Sequence, residues 1–284
     1  MYQAGLILEG GGMKGVYTAG VIDFFLDKGI EFSSVYGVSA GACSMASYLS
    51  KQRGRARAVS MDYVGDRRYC SLESLLTTGD LFNVEMNYHL VPEKLNPFDH
   101  ETFEKYSGKA YSVATDIVSG RPVYFRVRDM KKDIVKIRAS ASLPLVSRNV
   151  KIGGGLYLDG GLSDSLPIQR SIMDGNRKNV VVMTKETGYV KMRTKRLMLL
   201  LAGVRYRRYP KVAELMAGRY RHYNEQAAYI ERLRRSGDVF VIRPKKSYGV
   251  GRVEKNKEKL NRLYRQGYRD AAASYQKLTE FLEK

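Results

Sequence analysis

Two glycine-rich turns, each set between an apolar strand pattern and a helical pattern, lie within the first 45 residues and dictate what the rest of the chain can build. Ala4–Glu9 is a short apolar run that ends in Gly10-Gly11-Gly12-Met13-Lys14-Gly15. Met13 to Lys28 follows with helical periodicity, Val16, Gly20, Phe24 and Asp27 stepping along it with Val21 and Phe25 beside them. Gly29 stands where a helix C-cap is expected. Ser34–Val38 is a second strand pattern, and it leads through Ser39 into a helical pattern from Ala40 to Lys51. A β-α-β-α order with loops this short predicts parallel strands joined by right-handed crossovers, an α/β fold.

The first turn has several readings. Backbone amides at a helix N-terminus favour negative charge. Gly10, Gly12 and Gly15 satisfy the dinucleotide fingerprint, the same amides could form an oxyanion hole, and a tight turn at a close strand–helix approach needs the glycines anyway. It is not a Walker loop, because no Gly-Lys-Ser/Thr follows.

The second turn, Gly37-Val38-Ser39-Ala40-Gly41, has the strand–helix context of a nucleophile elbow. Alone it is weak, with about 0.2 chance occurrences expected in a chain this glycine-rich. Its context strengthens it. Ser39 follows Gly10 by about one βαβ unit, so both turns sit at the C-terminal ends of neighbouring parallel strands, where open α/β sheets place their sites. The dinucleotide reading loses its second anchor at this point. It needs an acidic residue ending the second strand, and Ser39 stands there, with Glu31 before the strand.

A serine nucleophile needs a base. His89 and His100 precede Asp159, the wrong order for a Ser-Asp-His hydrolase, and His222 lies in a basic helical stretch rather than on a loop after a strand. All three read as ordinary surface or helix histidines. Asp159 ends a strand pattern, Leu156–Leu158, and is followed by Gly160 and Gly161. A solvated carboxylate is a weak base at neutral pH; partial burial would strengthen it, and a direct hydrogen bond to the hydroxyl would supply the geometry. By itself Asp-Gly-Gly is a turn signal.

Gly10-Gly-Gly-Met-Lys-Gly15, Gly37-Val-Ser-Ala-Gly41 and Asp159-Gly-Gly161, in this order, resemble the patatin-like phospholipase family. Ala114-Thr115-Asp116 with Ser119-Gly120-Arg121-Pro122, Ala139-Ser-Ala-Ser-Leu-Pro144, and Asp164 to Pro167 also match. The resemblance implies a three-layer α/β/α fold with a mostly parallel central sheet. It implies a Ser–Asp dyad without histidine, Ser39 as nucleophile and Asp159 as base, and an oxyanion hole from the amides of Gly10, Gly11 and Gly12, with Ala40 at the next helix N-terminus. Gly15, Gly37, Gly41, Gly160 and Gly161 support the motifs. No metal or cofactor is implied. Lys14 occupies a position that is often Arg in the family. A cation in a first helical turn opposes the helix dipole, so Lys14 is expected to pair with an acid. Asp116 reads as a strand-end turn residue.

Charge separates the two ends of the chain. The whole carries 49 basic and 29 acidic side chains, a net of +20. Residues 191–284 hold 25 basic and 9 acidic side chains, a net of +16, which suggests an anionic partner on one side. The two cysteines, Cys43 and Cys70, exclude a disulfide framework or a Cys-based zinc ribbon. No basic n-region with a cleavage site opens the chain, so it is read as having no signal peptide. No apolar run in the C-terminal half approaches the ~18 residues of a membrane span. A cytoplasmic protein is expected.

The middle of the chain, 52–108, reads as mixed helix and loop with Pro92 and Pro97 as breakers. Ala110–Thr115 and Pro122–Val127 read as strands, Ile134–Leu143 as a helix, and Asn179–Thr184 and Val239–Ile242 as strands. Three C-terminal stripes are helical, within 197–204, 212–233 and 260–282, and read as packing faces against the sheet. The first has a second reading. Arg193, Lys195, Arg196, Arg205, Arg207, Arg208 and Lys211 flank Leu197–Val204, the pattern of a peripheral anchor on an anionic membrane. The expected organisation is a catalytic core over 5–175 and a basic, mostly helical extension over 176–284 that completes the same domain. The extension from Arg243-Pro244 to Gly267-Tyr268 resembles a bacterial subgroup of the family. The expected function is a serine acyl hydrolase of lipid esters, phospholipid or lysophospholipid. The alternative is a catalytically quiet lipid- or nucleic-acid-binding protein using its basic third; nucleic acid is the less favoured partner.

Overall fold

In the computed structural model, which describes residues 1–284, the strand β1 (Tyr2–Leu8) sits near the middle of a mixed eight-stranded sheet. Its side chains alternate between two cores, as period-2 geometry requires. Ala4, Leu6 and Leu8 enter the larger one and Ile7 the smaller. A 3-10 turn at Gly12–Gly15 leads into α1 (Val16–Asp27), so the first helix tightens exactly at the glycine loop and is regular only after it. Gly29, at φ +61°, ends α1. The strand β2 (Phe32–Val38) and helix α2 (Ala40–Leu49) follow.

The middle of the chain is α3 (Arg55–Met61), α4 (Leu72–Thr78), a π-helical stretch Met86–Leu95 and α5 (His100–Glu104). Pro92 lies inside the π-helical stretch instead of ending a helix. The wider turn, with Asn96 N–H donating to Val91 O at 2.8 Å, relieves the clash that a proline ring makes in an α-helix. Next come β3 (Lys109–Asp116), β4 (Pro122–Val127) and α6 (Met130–Ala141). α6 begins four residues earlier than its apolar pattern, because Asp129 caps it by accepting from Lys131 N–H at 2.9 Å. The strand β5 (Val150–Ile152) forms a hairpin with β6 (Gly155–Asp159), and α7 (Ile168–Met173) follows.

The last third supplies β7 (Lys178–Val182), α8 (Arg196–Arg205), α9 (Pro210–Ser236), β8 (Val239–Ile242) and α10 (Lys257–Glu283). The sheet order is β5-β6-β3-β2-β1-β7-β8, with β4 also on β3. β1, β2, β3, β7 and β8 run parallel; β4, β5 and β6 are antiparallel additions at one side. α1, α2 and α10 cover one face through the larger core, and α7 and α9 the other through Ile168, Tyr223 and Ile230, with Leu166 just before α7. This is a three-layer α/β/α arrangement. α1 and α10 cross in glycine contact. A methyl at Gly20 would lie 2.1 Å from Tyr264 O, and one at Gly267 2.0 Å from Tyr17 O.

α9 and α10 pack as their stripes predict, but α8 does not. Leu197, Leu200, Leu201 and Val204 are 64%, 65%, 46% and 68% exposed, and only Ala202 of α8 is buried. The expectation of a packing face is therefore corrected for this helix. α8 rests on the molecule through Ala202 and neighbouring Tyr206, and its apolar stripe faces outward. No helix is long and apolar enough to cross a membrane.

Candidate active site

Ser39 has φ +55° and ψ −123°, a region that L residues rarely occupy and that costs roughly 1–3 kcal/mol. The surrounding sequence enforces it. A methyl at Gly37 would come within 2.5 Å of Ala42 Cα, and one at Gly41 within 2.1 Å of Leu8 O. Only glycine at both positions lets α2 start this close to the ends of β2 and β1. The N–H of Ser39 donates to Ser140 Oγ at 2.8 Å, and Ser140 is fully buried on α6.

Asp159 reaches the same place by strand pairing. β4 occupies one edge of β3 from Ala110 to Thr115, so β2 and β6 must share the other edge. β2 ends with Val38 opposite Val113, and β6 ends with Asp159 opposite Ala114, the next residue. Two strands running in opposite directions thus finish end to end on consecutive residues of β3, and their ends carry Ser39 and Asp159. Gly160 makes the junction possible, since a methyl there would lie 2.1 Å from Val113 O. Asp159 N–H donates to Ser142 O at 2.7 Å. The segment around Ser140 and Ser142 therefore holds the backbones of both residues.

The Asp159 side chain is 1% exposed, and Gly161 N–H donates to its Oδ1 at 2.7 Å. Oδ2 is buried with no hydrogen-bond partner, so the direct hydrogen bond expected from the Ser39 hydroxyl is not made in this structure. An unpaired buried carboxylate oxygen is costly unless something else donates to it.

The glycine loop packs directly on the elbow. A methyl at Gly10 would sit 2.8 Å from Ser39 Cβ, and one at Gly15 2.9 Å from Ala40 Cβ. Gly12 adopts φ +59° beneath the Arg252 carbonyl, which accepts from Met13 N–H at 3.0 Å. The amides of Gly10 and Gly11 make no backbone hydrogen bond, and those of Gly12 and Ala40 open helical turns, where N–H groups lack intrahelical acceptors.

Ser39 lines two cavities. The larger is mostly apolar, walled by Met13, Val59, Phe82, Tyr88, Val91, Ile137 and Leu143 among others. The smaller is polar and charged. Gly10, Gly11, Gly12, Ser39, Asp159 and Gly161 line it with Glu9, Lys185, Lys191, Arg219, Tyr223 and Arg252. Burial, with Arg219, Arg252 and Lys185 close by, pushes the Lys191 ammonium down to about 7. Burial also pulls Arg219 and Lys185 below their ordinary values, while Asp159 and Glu9 respectively act in the opposite direction.

The structure brings together Ser39, Asp159, the three loop glycines and Gly161, and sets Gly15 and Ala40 beside them. Lys14 does not pair with an acid. No carboxylate lies within 4.0 Å of it, because Glu9 is engaged by Lys185 Nζ at 3.6 Å, Thr184 N–H at 2.6 Å and Tyr223 OH at 3.0 Å. Asp116 is a turn residue, its Oδ1 accepting from Val118 and Ser119 N–H. Asp164 is buried against Tyr124 and Gln226, away from the cavity lining. His89 and His222 are exposed; His100 lines the apolar cavity edge-on to Phe98. None of the three is hydrogen-bonded to Ser39 or Asp159. Sequence reasoning missed Ser140, Glu9 and the four cavity cations. No three His, Cys, Asp or Glu side chains gather to hold a metal ion.

Comparison with known proteins supplies matches along most of the chain. A family model described as Patatin-like phospholipase matches residues 6–171, and one described as a domain of unknown function (DUF6363) matches 209–283. Uncharacterized protein YjjU of Escherichia coli (strain K12) is 32% identical over 184 residues, 63% of this chain and 51% of that protein. Probable lipid hydrolase 463L of Invertebrate iridescent virus 6 is 26% identical over 195 residues, 63% of this chain and 66% of that protein. The match thus spans between about half and two thirds of these relatives' lengths. The crystal structure of VipD from Legionella pneumophila covers 100% of this chain and 67% of its own, with a TM-score of 0.51 and 12% identity, a likeness of fold.

Proposed function

Because the chain belongs to the patatin-like phospholipase family, we propose that it is a serine acyl hydrolase of lipid esters, with Ser39 as nucleophile and Asp159 as general base. The observation that carries this reading is the buried, unpartnered Oδ2 of Asp159 in the cavity that Ser39 lines. Ser39 Oγ attacks the ester carbonyl and gives its proton to Asp159. The carbonyl oxygen, now an oxyanion, is held by amides of the Gly10–Gly12 loop with the Ala40 amide beside them. Asp159 returns the proton to the departing alcohol as the acyl–Ser39 ester forms. The same carboxylate then activates water, which releases the acid and regenerates Ser39.

The apolar cavity takes the acyl chain. The stretch 176–284 completes the catalytic domain rather than forming a separate one; β7 and β8 belong to the one sheet, and α10 lies on α1. α8 is the contact with a membrane, as a peripheral anchor on the inner face of an anionic bilayer. Its exposed apolar stripe and the unpaired cations Arg193, Lys195, Arg196, Arg205, Arg207 and Arg208 support this.

The test is turnover of a short-chain p-nitrophenyl ester. Ser39→Ala abolishes it with circular dichroism unchanged, and Gly11→Ala, whose methyl would lie 2.6 Å from Thr184 Oγ1, lowers kcat by roughly 10²-fold. Equal turnover by wild type and Ser39→Ala would refute the reading, and no turnover by either would favour a binding protein.

A further inference from the structure

The geometry points to a phosphate-binding subsite beside Ser39, formed by Lys191, Arg219 and Arg252, which seats an anionic phosphate carried by the substrate's alcohol portion. The word substrate rests on the hydrolase reading above; the binding of phosphate does not.

Four basic side chains and two carboxylates line the polar cavity, an excess of between one and two positive charges at neutral pH, since Lys191 titrates at about 7. Glu9 is engaged by Lys185, Thr184 and Tyr223, and Asp159 accepts from Gly161 through one oxygen while the other has no hydrogen-bond partner. Lys191, Arg219 and Arg252 have no carboxylate within 4.0 Å, and Arg219 Nε is buried with no partner at all. Lys191 finds only the face of Tyr223, 4.9 Å away. Lys191 and Arg219 are part-buried and Arg252 stands exposed at the mouth; cations drawn together with part of their hydration removed repel one another. A ligand that supplies the missing negative charge relieves this repulsion.

Phosphate fits the donor set. Two guanidinium groups and one ammonium offer several N–H donors to the non-bridging oxygens, and guanidinium pairs with phosphate through two parallel hydrogen bonds. A phosphomonoester carries about −1.5 to −2 at neutral pH, matching the excess charge. Gly161 reserves the space, since a methyl there would lie 2.7 Å from Arg219 Nη2.

Position assigns the role. Ser39 lines both cavities, so an ester carbonyl at Ser39 directs its acyl chain to the apolar side and its alcohol to the cationic side. All three cations lie outside residues 6–171, and Arg219 and Arg252 lie within 209–283. The C-terminal region thereby reads the alcohol portion for a nucleophile that the N-terminal region provides.

The experiment uses two soluble esters with one hexanoyl chain, 1-hexanoylglycerol 3-phosphate and 1-hexanoylglycerol, and the full chain as wild type and as Lys191→Met/Arg252→Gln. The wild type prefers the phosphate ester by at least ~10-fold in kcat/KM, the order expected for charged hydrogen bonds, and the double variant loses most of that ratio. A ratio near one in the wild type, or one retained in the variant, overturns the proposal. Calorimetry of glycerol 3-phosphate and of inorganic phosphate with Ser39→Ala protein gives a readout independent of turnover. Glycerol 3-phosphate binds there, and binding is lost when Lys191→Met and Arg252→Gln are added. If neither ester is cleaved but this binding holds, the hydrolase reading fails and the subsite stands. If inorganic phosphate binds while glycerol 3-phosphate does not, the site belongs to a free anion and the substrate assignment is overturned. If neither binds, the subsite is overturned.

Discussion

The amide of Gly161 holds one oxygen of Asp159 at 2.7 Å and leaves the other buried and free. This division of labour separates orientation from proton transfer. Asp159→Asn keeps a carbonyl oxygen for Gly161 but cannot accept the Ser39 proton as a carboxylate does. We expect kcat to fall by ~10³-fold or more while the melting temperature stays close to wild type. His100→Gln and His222→Gln retain most activity. Ester turnover beside thermal melts checks this, and loss of activity in His222→Gln with an active Asp159→Asn would replace the dyad by a histidine mechanism.

Ser140 is the acceptor for the strained residue's own amide. Ser140→Ala leaves the Ser39 N–H buried without a partner, a cost of ~1–3 kcal/mol. We expect a lower urea midpoint together with reduced kcat, and recovery of both in Ser140→Thr, which keeps the hydroxyl. Urea melts and steady-state kinetics on the three proteins measure it; an unchanged midpoint in Ser140→Ala would remove Ser140 from the support of the elbow.

Lys191 makes stability depend on pH in a definite direction. Burial holds its ammonium down at about 7 when folded, with Arg219, Arg252 and Lys185 repelling it and Glu9 the opposing charge. The unfolded chain keeps an ordinary value near ~10.4. Between these limits the unfolded state binds the extra proton, so Lys191 makes stability rise with pH across the window. Lys191→Met is more stable than wild type below pH 7, and its advantage shrinks as pH rises. Urea melts in phosphate-free buffer at several pH values test this; a constant difference would contradict it.

α8 predicts salt-dependent adsorption to anionic vesicles. Each surface cation near such a membrane contributes ~1 kcal/mol before screening. Reversing Arg205, Arg207 and Arg208 to Glu should weaken co-sedimentation at low salt, and Leu197→Ser with Leu200→Ser should weaken it at all salt concentrations. Circular dichroism monitors the fold. Sedimentation that ignores both salt and substitutions would rule out α8 as the anchor.

The elbow and the Asp159 turn were legible because their geometry is local. Gly37, Gly41 and Gly160 are required by atoms of adjoining elements, and β1, β2, β3 and β4 follow from short apolar runs. The meeting of Val38 and Asp159 on consecutive residues of β3 was not legible, since an antiparallel β6 depends on a hairpin through the short β5. The cavity cations were hidden for a different reason. Arg219 and Arg252 look like their many basic neighbours, and only the fold selects these two to face Ser39. The α8 stripe shows the limit of periodicity, which reveals an apolar face but not whether anything covers it.

The crossing of α1 and α10 sets a timetable for synthesis. Tyr17 donates to Asp270 at 2.9 Å, across 253 residues. At roughly 5–20 residues per second, the partner arrives some 10–50 s after the first helix is made. Early in that interval the nascent chain holds the serine elbow but lacks β7, β8 and the cations of the polar cavity, and throughout it the face of α1 meant for α10 is uncovered. A ribosome-bound fragment would carry a serine turn but not the cation-lined cavity. The cover over α1 is completed only at the last moment of translation, when the tail folds back over the beginning.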